Sequence, residues 1–319
     1  MPLLPADPQS VARAAALLRA SGVVAFPTET VYGLGAIAFD RSAVARIFEI
    51  KQRPYFDPLI VHVLDRAMLD QAAARVPESA LRLMDRFWPG ALTLVLGKGA
   101  SIPQLVTAGL GTVAVRMPSH PVARALLEAT AAPLAAPSAN PFGALSPTRA
   151  QHVVEGLGDR VDLVLDGGAC ELGIESTIVA LEPQPALLRP GAIAVEAIEA
   201  VIGPLERAPA LDPATAPGRL PHHYAPRTPL RLIDPRRVPL AERRRAALLA
   251  LDGDFSGYAE VRLLSGEGDL RAAAANFFEA LHELDTLGVE RIDAQPLPEA
   301  GLGLAMMDRL VRAAASRNA

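Results

Sequence analysis

Four cations sit at the edges of apolar runs: Lys51, Arg53, Arg116 and Arg189. Near them stand hydroxyl, amide and imidazole side chains, namely Thr30, His62, Ser138, Asn140, Ser146 and Ser176. Fixed cations combined with serine hydroxyls suit a triphosphate, because each donor is aimed at phosphate oxygens. Threonine and serine hydroxyls with a histidine suit a small polar metabolite, and loops at strand ends are where such sites are built. Lys51 stands out further. The chain holds two lysines, Lys51 and Lys98, and the rest of its positive charge is arginine. An ammonium is a compact point charge and a guanidinium a planar fork, so the retained Lys51 points to a need for the former.

Composition narrows the class. The 319 residues are 50% hydrophobic and 21% charged, as in soluble globular proteins, and the length accommodates two domains. Aromatics make up 4%, so the core is built mostly from Ala, Leu and Val. A net charge of −4 argues against coating nucleic acid through bulk charge. The single cysteine, Cys170, excludes an intramolecular disulfide and a cysteine-rich zinc site, and reads as a packing residue. Met1 to Pro8 has no basic leader region, and no apolar stretch is long and charge-free enough to span a bilayer, so a cytoplasmic location is expected.

The elements that must position these residues follow from periodicity and punctuation. Asp7-Pro8 reads as cap and first position of a helix reaching about Ala20. Val23 to Phe26 is a buried strand, and Pro27 to Gly35 a polar loop. Asp40 caps a helix over Ser42 to Ile50, which delivers Lys51 and Arg53 at its end before Pro54 stops it. Leu59–Val63, Leu92–Leu96, Thr112–Met117, Val161–Leu165, Ser176–Leu181 and Ala186–Arg189 read as strands, and Pro121–Thr130 as a helix. Helices and strands mix without strict alternation, which predicts a twisted mixed α/β sheet with helices packed on it. After a Pro/Ala-rich stretch, strands at Leu230–Ile233, Ala246–Leu251, Val261–Leu264 and Val289–Ile292 are separated by helices such as Asp269–Leu287 and Leu304–Ala315. That pattern predicts a smaller parallel α/β domain. The expected division is 1–203, a linker over 204–229, and 230–319. The linker contains Pro221-His222-His223-Tyr224-Ala225-Pro226, which a mere spacer would not need.

Two glycine patterns tempt and fail. Gly33-Leu34-Gly35 follows a strand, but the loop is too long for a dinucleotide fingerprint and no acidic residue ends a following strand at the right distance. Gly301-Leu302-Gly303 matches less well, and no Walker loop or nucleophile elbow is present.

Taken together, Pro27 to Gly35, Lys51 to Val63, Ser138-Ala139-Asn140, Ser146-Pro147-Thr148, Glu175-Ser176-Thr177 and Arg189-Pro190-Gly191 closely resemble the YrdC-like family of L-threonylcarbamoyladenylate synthases. The resemblance covers about Ser10 to Gly203, and His223-Tyr224-Ala225-Pro226 with Gly301 to Ala305 resembles the long, two-domain form. It implies a nucleotidyltransferase that joins L-threonine, bicarbonate and ATP, with Mg2+, into threonylcarbamoyl-AMP and pyrophosphate. A downstream threonylcarbamoyl transferase complex would then modify tRNA beside the anticodon. It also implies a concave basic cavity, a linker reaching over its mouth, and a Rossmann-like second domain. By position, Thr30, His62, Arg116 and Ser176 match the threonine side. Lys51, Arg53, Asp57, Thr112, Ser138, Asn140, Ser146 and Arg189 match the ATP side, Tyr224 matches the residue closing on the nucleotide, and Lys51 with Arg53 would act catalytically.

Two departures from the family pattern stand out. Asp57 occupies a place where the family usually has asparagine, and an anion there would repel phosphates unless it binds Mg2+ or pairs with Arg53. Arg219-Leu220-Pro221-His222 replaces a more basic stretch. The rival expectation is a non-enzymatic RNA-binding protein that uses the same basic cavity.

Overall fold

A computed structural model describes residues 1–207 and 223–315. The linker segment Arg219-Leu220-Pro221-His222 therefore lies outside the described residues, whereas His223 to Pro226 lies within them.

The helix signals act where the sequence places them. Helix α1 (Pro8–Arg19) starts with the Asp7 carboxylate accepting from the Ser10 N–H. Helix α2 (Arg41–Lys51) starts with Asp40 accepting from the N–H groups of Ser42 and Ala43, and ends at Gln52 in the left-handed region. That left-handed residue turns the chain so that Lys51 and Arg53 both face inward, each buried.

One large mixed sheet of twelve strands, with β1 (Leu3–Pro5), β5 (Ala73–Arg75) and β12 (Glu206–Arg207) at its margins, forms among the described residues in the path β1-β9-β2-β3-β8-β4-β7-β6-β10-β11-β12, with β5 beside β6. Its site-bearing strands are β2 (Val24–Phe26), β3 (Gly33–Ile37), β4 (Ile60–His62), β6 (Leu92–Lys98), β7 (Thr112–Arg116), β8 (Leu134–Ala135), β10 (Thr177–Ala180) and β11 (Ala186–Arg189). Helices α1 and α5 (Pro121–Thr130) pack on each other, and α1 covers β2, β3 and β9 (Leu163–Asp166).

The expected polar loop Pro27–Gly35 is shorter than its sequence suggests, because Gly33 and Gly35 belong to β3, paired antiparallel with β2. Both faces of β3 are buried, so it shows no alternation to read. A Cβ on Gly35 would lie 2.6 Å from the Phe26 ring, so the glycine serves close packing rather than phosphate approach.

A second sheet follows, in the order β13-β16-β14-β15, with every pairing parallel. Its strands are β13 (Leu230–Leu232), β14 (Ala246–Ala250), β15 (Glu260–Leu263) and β16 (Arg291–Ala294). Helices α9 (Leu270–Asp285) and α10 (Leu302–Ala315) carry its core. That core continues into the first unit and the end of the connecting segment, since Val31, Leu145 and Ile174 from the one and Tyr224 from the other pack in one cluster with Phe277, Phe278 and Met306. Among the described residues, no helix is long and apolar enough to cross a membrane.

Candidate active site

Sheet register brings the first group of site residues together. His62 and Arg116 are direct Cα partners in the parallel pair β4/β7, and Arg116 is opposite Thr93 in the antiparallel pair β7/β6. Ser176, just before β10, shares a 2.7 Å hydroxyl contact with Thr93. One row across the sheet thus sets His62, Arg116 and Thr93 side by side, and Ser176, two residues before the Ile178 that pairs with Thr93, joins it through the hydroxyl contact. Arg116 donates Nη1 to Thr30 Oγ1 at 2.8 Å and Nε to the Gly90 carbonyl at 3.1 Å. Its Nη2 lies 2.8 Å from the Glu29 carboxylate, and both side chains are buried.

The second group comes from loops sewn to the sheet. The Tyr32 N–H donates to the Pro147 carbonyl and the Ala139 N–H to the Tyr32 carbonyl, both at 2.8 Å, fixing the segments that carry Ser138, Asn140 and Ser146. Arg53 is held by the carbonyls of Asp57 (3.1 Å) and Pro58 (2.8 Å) and pairs with the Asp57 carboxylate at 2.9 Å. Arg189 donates to the Ser176 carbonyl at 3.0 Å and to its hydroxyl at 3.2 Å. The turn after Arg189 admits only glycine at 191, because a Cβ there would meet the 175–177 backbone at 2.4 Å.

Between the two groups lies a cavity of about 540 Å³. Thr30, His62, Arg116 and Ser176 line one part, and Arg53, Ser138, Arg189, His223 and Tyr224 line it as well. Lys51, Asp57, Asn140 and Ser146 stand behind that lining. Lys51 donates to the carbonyls of Ser138 and Asn140, at 2.5 Å each, so its ammonium braces the loop rather than projecting into the cavity. Thr112 lies elsewhere. It is exposed at the far end of β7 from Arg116, a strand-length of about 13 Å away, and is not among the residues that line the cavity.

Electrostatics favour an anionic ligand. Lys51, Arg53, Arg116, Arg189 and Arg309 are buried here with three buried carboxylates, Glu29, Asp57 and Glu175, so buried positive charge exceeds negative by two. Burial would raise the Glu29 carboxyl, but the Arg116 charge and hydrogen bond overcome it and hold it at about 2. Burial pushes Asp57 above the usual carboxylate range, against the pull of Arg53, Lys51 and Arg189. Burial lowers Lys51, with Arg53 adding to the effect. Burial and then the Arg116 charge press His62 down to about 3, leaving it a neutral imidazole near pH 7. His223 is lowered by burial and by the cations around it. Cys170 is buried with its thiol pushed up to about 12, consistent with a packing role.

Comparison with known proteins decides the family. Residues 16–191 match the family model described as "Telomere recombination", and residues 193–315 match the one described as "Threonylcarbamoyl-AMP synthase, C-terminal domain". The threonylcarbamoyl-AMP synthase of Bacillus subtilis is 45% identical over 98% of this chain and 94% of its own length. The chain belongs to the threonylcarbamoyl-AMP synthase family. The synthase of Pyrococcus abyssi is 43% identical over 95% of this chain and 94% of its own. A crystal structure of P. abyssi Sua5 complexed with L-threonine superimposes with a TM-score of 0.93 at 40% identity, covering 99% of this chain and 98% of that one.

Within this member of the synthase family, four site residues carry no role in the sequence reading: Glu29, Glu175, His223 and Arg309. Glu29 and Glu175 each adjoin a residue that was singled out, and His223 adjoins Tyr224. Arg309 sits on the apolar face of α10 beside Ala305, Met306 and Leu310, where spacing alone signals only an oddly placed charge.

Proposed function

We propose that this protein condenses L-threonine, bicarbonate and ATP to threonylcarbamoyl-AMP and pyrophosphate in the cytoplasm. A threonylcarbamoyl transferase complex would then consume the product to modify tRNA. The observation that carries this reading is the division of one cavity between a hydroxyl-imidazole row on Arg116 and a cation-rich half on Arg53 and Arg189.

Threonine binds against Thr30, His62, Arg116 and Ser176. Three of the five Arg116 donors are taken by Gly90, Thr30 and Glu29, leaving donor capacity for a carboxylate. The neutral His62 offers one N–H donor and one acceptor nitrogen and carries no positive charge at working pH. The threonine amine adds to bicarbonate with loss of water, giving a carbamate. A carbamate oxygen attacks the α-phosphorus in line, and pyrophosphate leaves. Arg53 and Arg189, with Ser138 and the braced loop on Lys51, meet the charge that builds on the phosphoryl oxygens.

Mg2+ fits as a companion of ATP rather than a resident ion. Glu29, Asp57 and Glu175 are each committed to an arginine, and among the described residues no trio of acidic, histidine or cysteine side chains could hold a metal. Mg2+ then supplies phosphate charge neutralisation as part of the nucleotide complex. Tyr224, buried in the left-handed conformation, closes the cavity and keeps water from a hydrolysable mixed anhydride.

The test is pyrophosphate release from Mg·ATP with and without bicarbonate and L-threonine, with L-serine as control. Release that requires both threonine and bicarbonate supports the reading. Intact ATP under every condition, with salt-dependent tRNA affinity, turns the assignment to RNA binding.

A further inference from the structure

The C-terminal unit reaches into the cavity wall through one side chain. Arg309, on α10, has no exposed surface. A guanidinium without partners is costly to bury, so its partners show what it is for. Nε donates to Glu175 Oε2 at 3.1 Å, and Nη1 donates to the Pro190 carbonyl at 2.7 Å and to Asp308 at 2.9 Å. The guanidinium carbon sits 5.1 Å from the centre of the Tyr224 ring. Nη2 is buried without a hydrogen-bond acceptor, and the aromatic face beside it offers electrostatic compensation.

Each partner leads to the cavity. Glu175 lines it and accepts a hydrogen bond from Ser146 through its other oxygen. Pro190 follows Arg189, and Tyr224 is the closing residue. Helix α9 grips the same region separately. His282 Nε2 lies 3.1 Å from the Ser146 carbonyl, Phe278 packs 5.9 Å from Tyr224, and Glu279 pairs with Arg149 at 2.8 Å.

We propose that Arg309 is a positioning residue for the reaction. From the C-terminal unit it holds Glu175, the Pro190 turn and the Tyr224 ring in one arrangement, and thereby sets the position of Tyr224 against the cavity. The C-terminal unit is then part of the catalytic device rather than an appended module. This rests on the synthase reading above.

The experiment compares the full-length protein with Arg309→Met, Arg309→Lys, Tyr224→Leu and the Met/Leu double variant. It reads kcat, KM for ATP and threonine, melting temperature, and the fraction of threonylcarbamoyl-AMP lost to AMP by hydrolysis. Arg309→Met is expected to lower kcat about tenfold or more, the scale of a small misplacement at a reacting centre. It should also raise the hydrolysed fraction several-fold, while threonine KM changes by less than about twofold. Arg309→Lys recovers part of the effect, because an ammonium cannot reach Glu175 and Pro190 together. The double variant should be no worse than the poorer single one. A lower melting temperature with wild-type kcat and hydrolysis would overturn the proposal, as would independent, multiplying effects of Arg309 and Tyr224. If Arg309→Met does not fold, Arg309→Lys and Glu175→Gln decide by the same readouts. A wild-type protein that forms no threonylcarbamoyl-AMP refutes the synthase reading itself, which separates that failure from failure of the Arg309 assignment.

Discussion

Glu29 and Arg116 meet at 2.8 Å with both side chains buried, and the same guanidinium holds the Thr30 hydroxyl. Glu29 therefore fixes a cation beside Thr30, His62 and Ser176, the side of the cavity proposed to take threonine. Glu29→Gln keeps the shape and removes the charge. Breaking a buried pair from one side typically costs about 3–5 kcal/mol. The expected outcome is a lower melting temperature and a threonine KM raised about tenfold or more, with ATP KM nearly unchanged. Isothermal titration with each substrate checks it, and equal losses for both ligands would argue against a threonine-specific role.

Lys51 acts through two carbonyls rather than on open solvent. Lys51→Ala leaves the Ser138 and Asn140 carbonyls without their donor and frees the loop that faces the phosphates. Misplacing a positioning loop by about 1 Å lowers rate on the order of 100-fold. That loss is expected in kcat and kcat/KM for ATP, with threonine affinity less affected. Wild-type turnover in this variant would remove Lys51 from the mechanism.

The pH dependence has a definite sign. His62 is pressed from its ordinary value of 6.5 to about 3 in the folded state, so the unfolded chain binds the extra proton between those values. Stability contributed by neutral His62 is complete above about pH 6.5 and falls as pH drops toward 3. At pH 5 the loss from this group is about 2 kcal/mol by linkage. His152, held at about 4 by burial and His282, shares the direction, so wild type alone does not isolate His62. Urea melts at pH 7 and pH 5 on wild type and His62→Asn isolate it, and a pH difference unchanged by the substitution would refute it.

Much of this arrangement is readable from local signals and some is not. Asp7, Asp40 and Asp269 announce helix starts because their carboxylates cap backbone N–H groups within three residues. Pro121–Thr130 is helical over the span its proline predicts. The parallel alternation after Leu230 shows because each strand is separated from the next by helix or turn. Helices α4 (Glu78–Phe87), α6 (Ala150–Leu157) and α7 (Val195–Ile202) have no Ser, Thr, Asp or Asn cap and drop out of a reading built on caps, whereas α3 (Arg66–Ala72) is capped by Asp65 but is only 7 residues long. Arg116 and His62 are each visible at strand ends, but their register is a property of the sheet. The pairs Glu29–Arg116 and Glu175–Arg309 join distant segments, so no spacing rule finds them.

Asp57 offers the sharpest separation of roles. Its carboxylate pairs with Arg53 at 2.9 Å, yet Arg53 is also held by the Asp57 and Pro58 carbonyls, which a side-chain change leaves in place. Asp57→Asn therefore removes a buried negative charge without releasing the arginine. At an effective dielectric of about 20, a pair of unit charges separated by about 6 Å interacts by on the order of 2–3 kcal/mol before screening, which sets the scale for an anion held beside a nucleotide site. ATP KM should fall, by about three- to tenfold once screening and the uneven charge state of a buried carboxyl are allowed for. Pyrophosphate shares the same cations, so its inhibition constant should fall in parallel, and kcat should stay level or drop as product release slows. Steady-state kinetics with pyrophosphate inhibition measure all three. A rise in ATP KM that excess Mg2+ reverses would instead make Asp57 a partner of the nucleotide-bound metal, and the Arg53 pair a resting arrangement that gives way when Mg·ATP arrives.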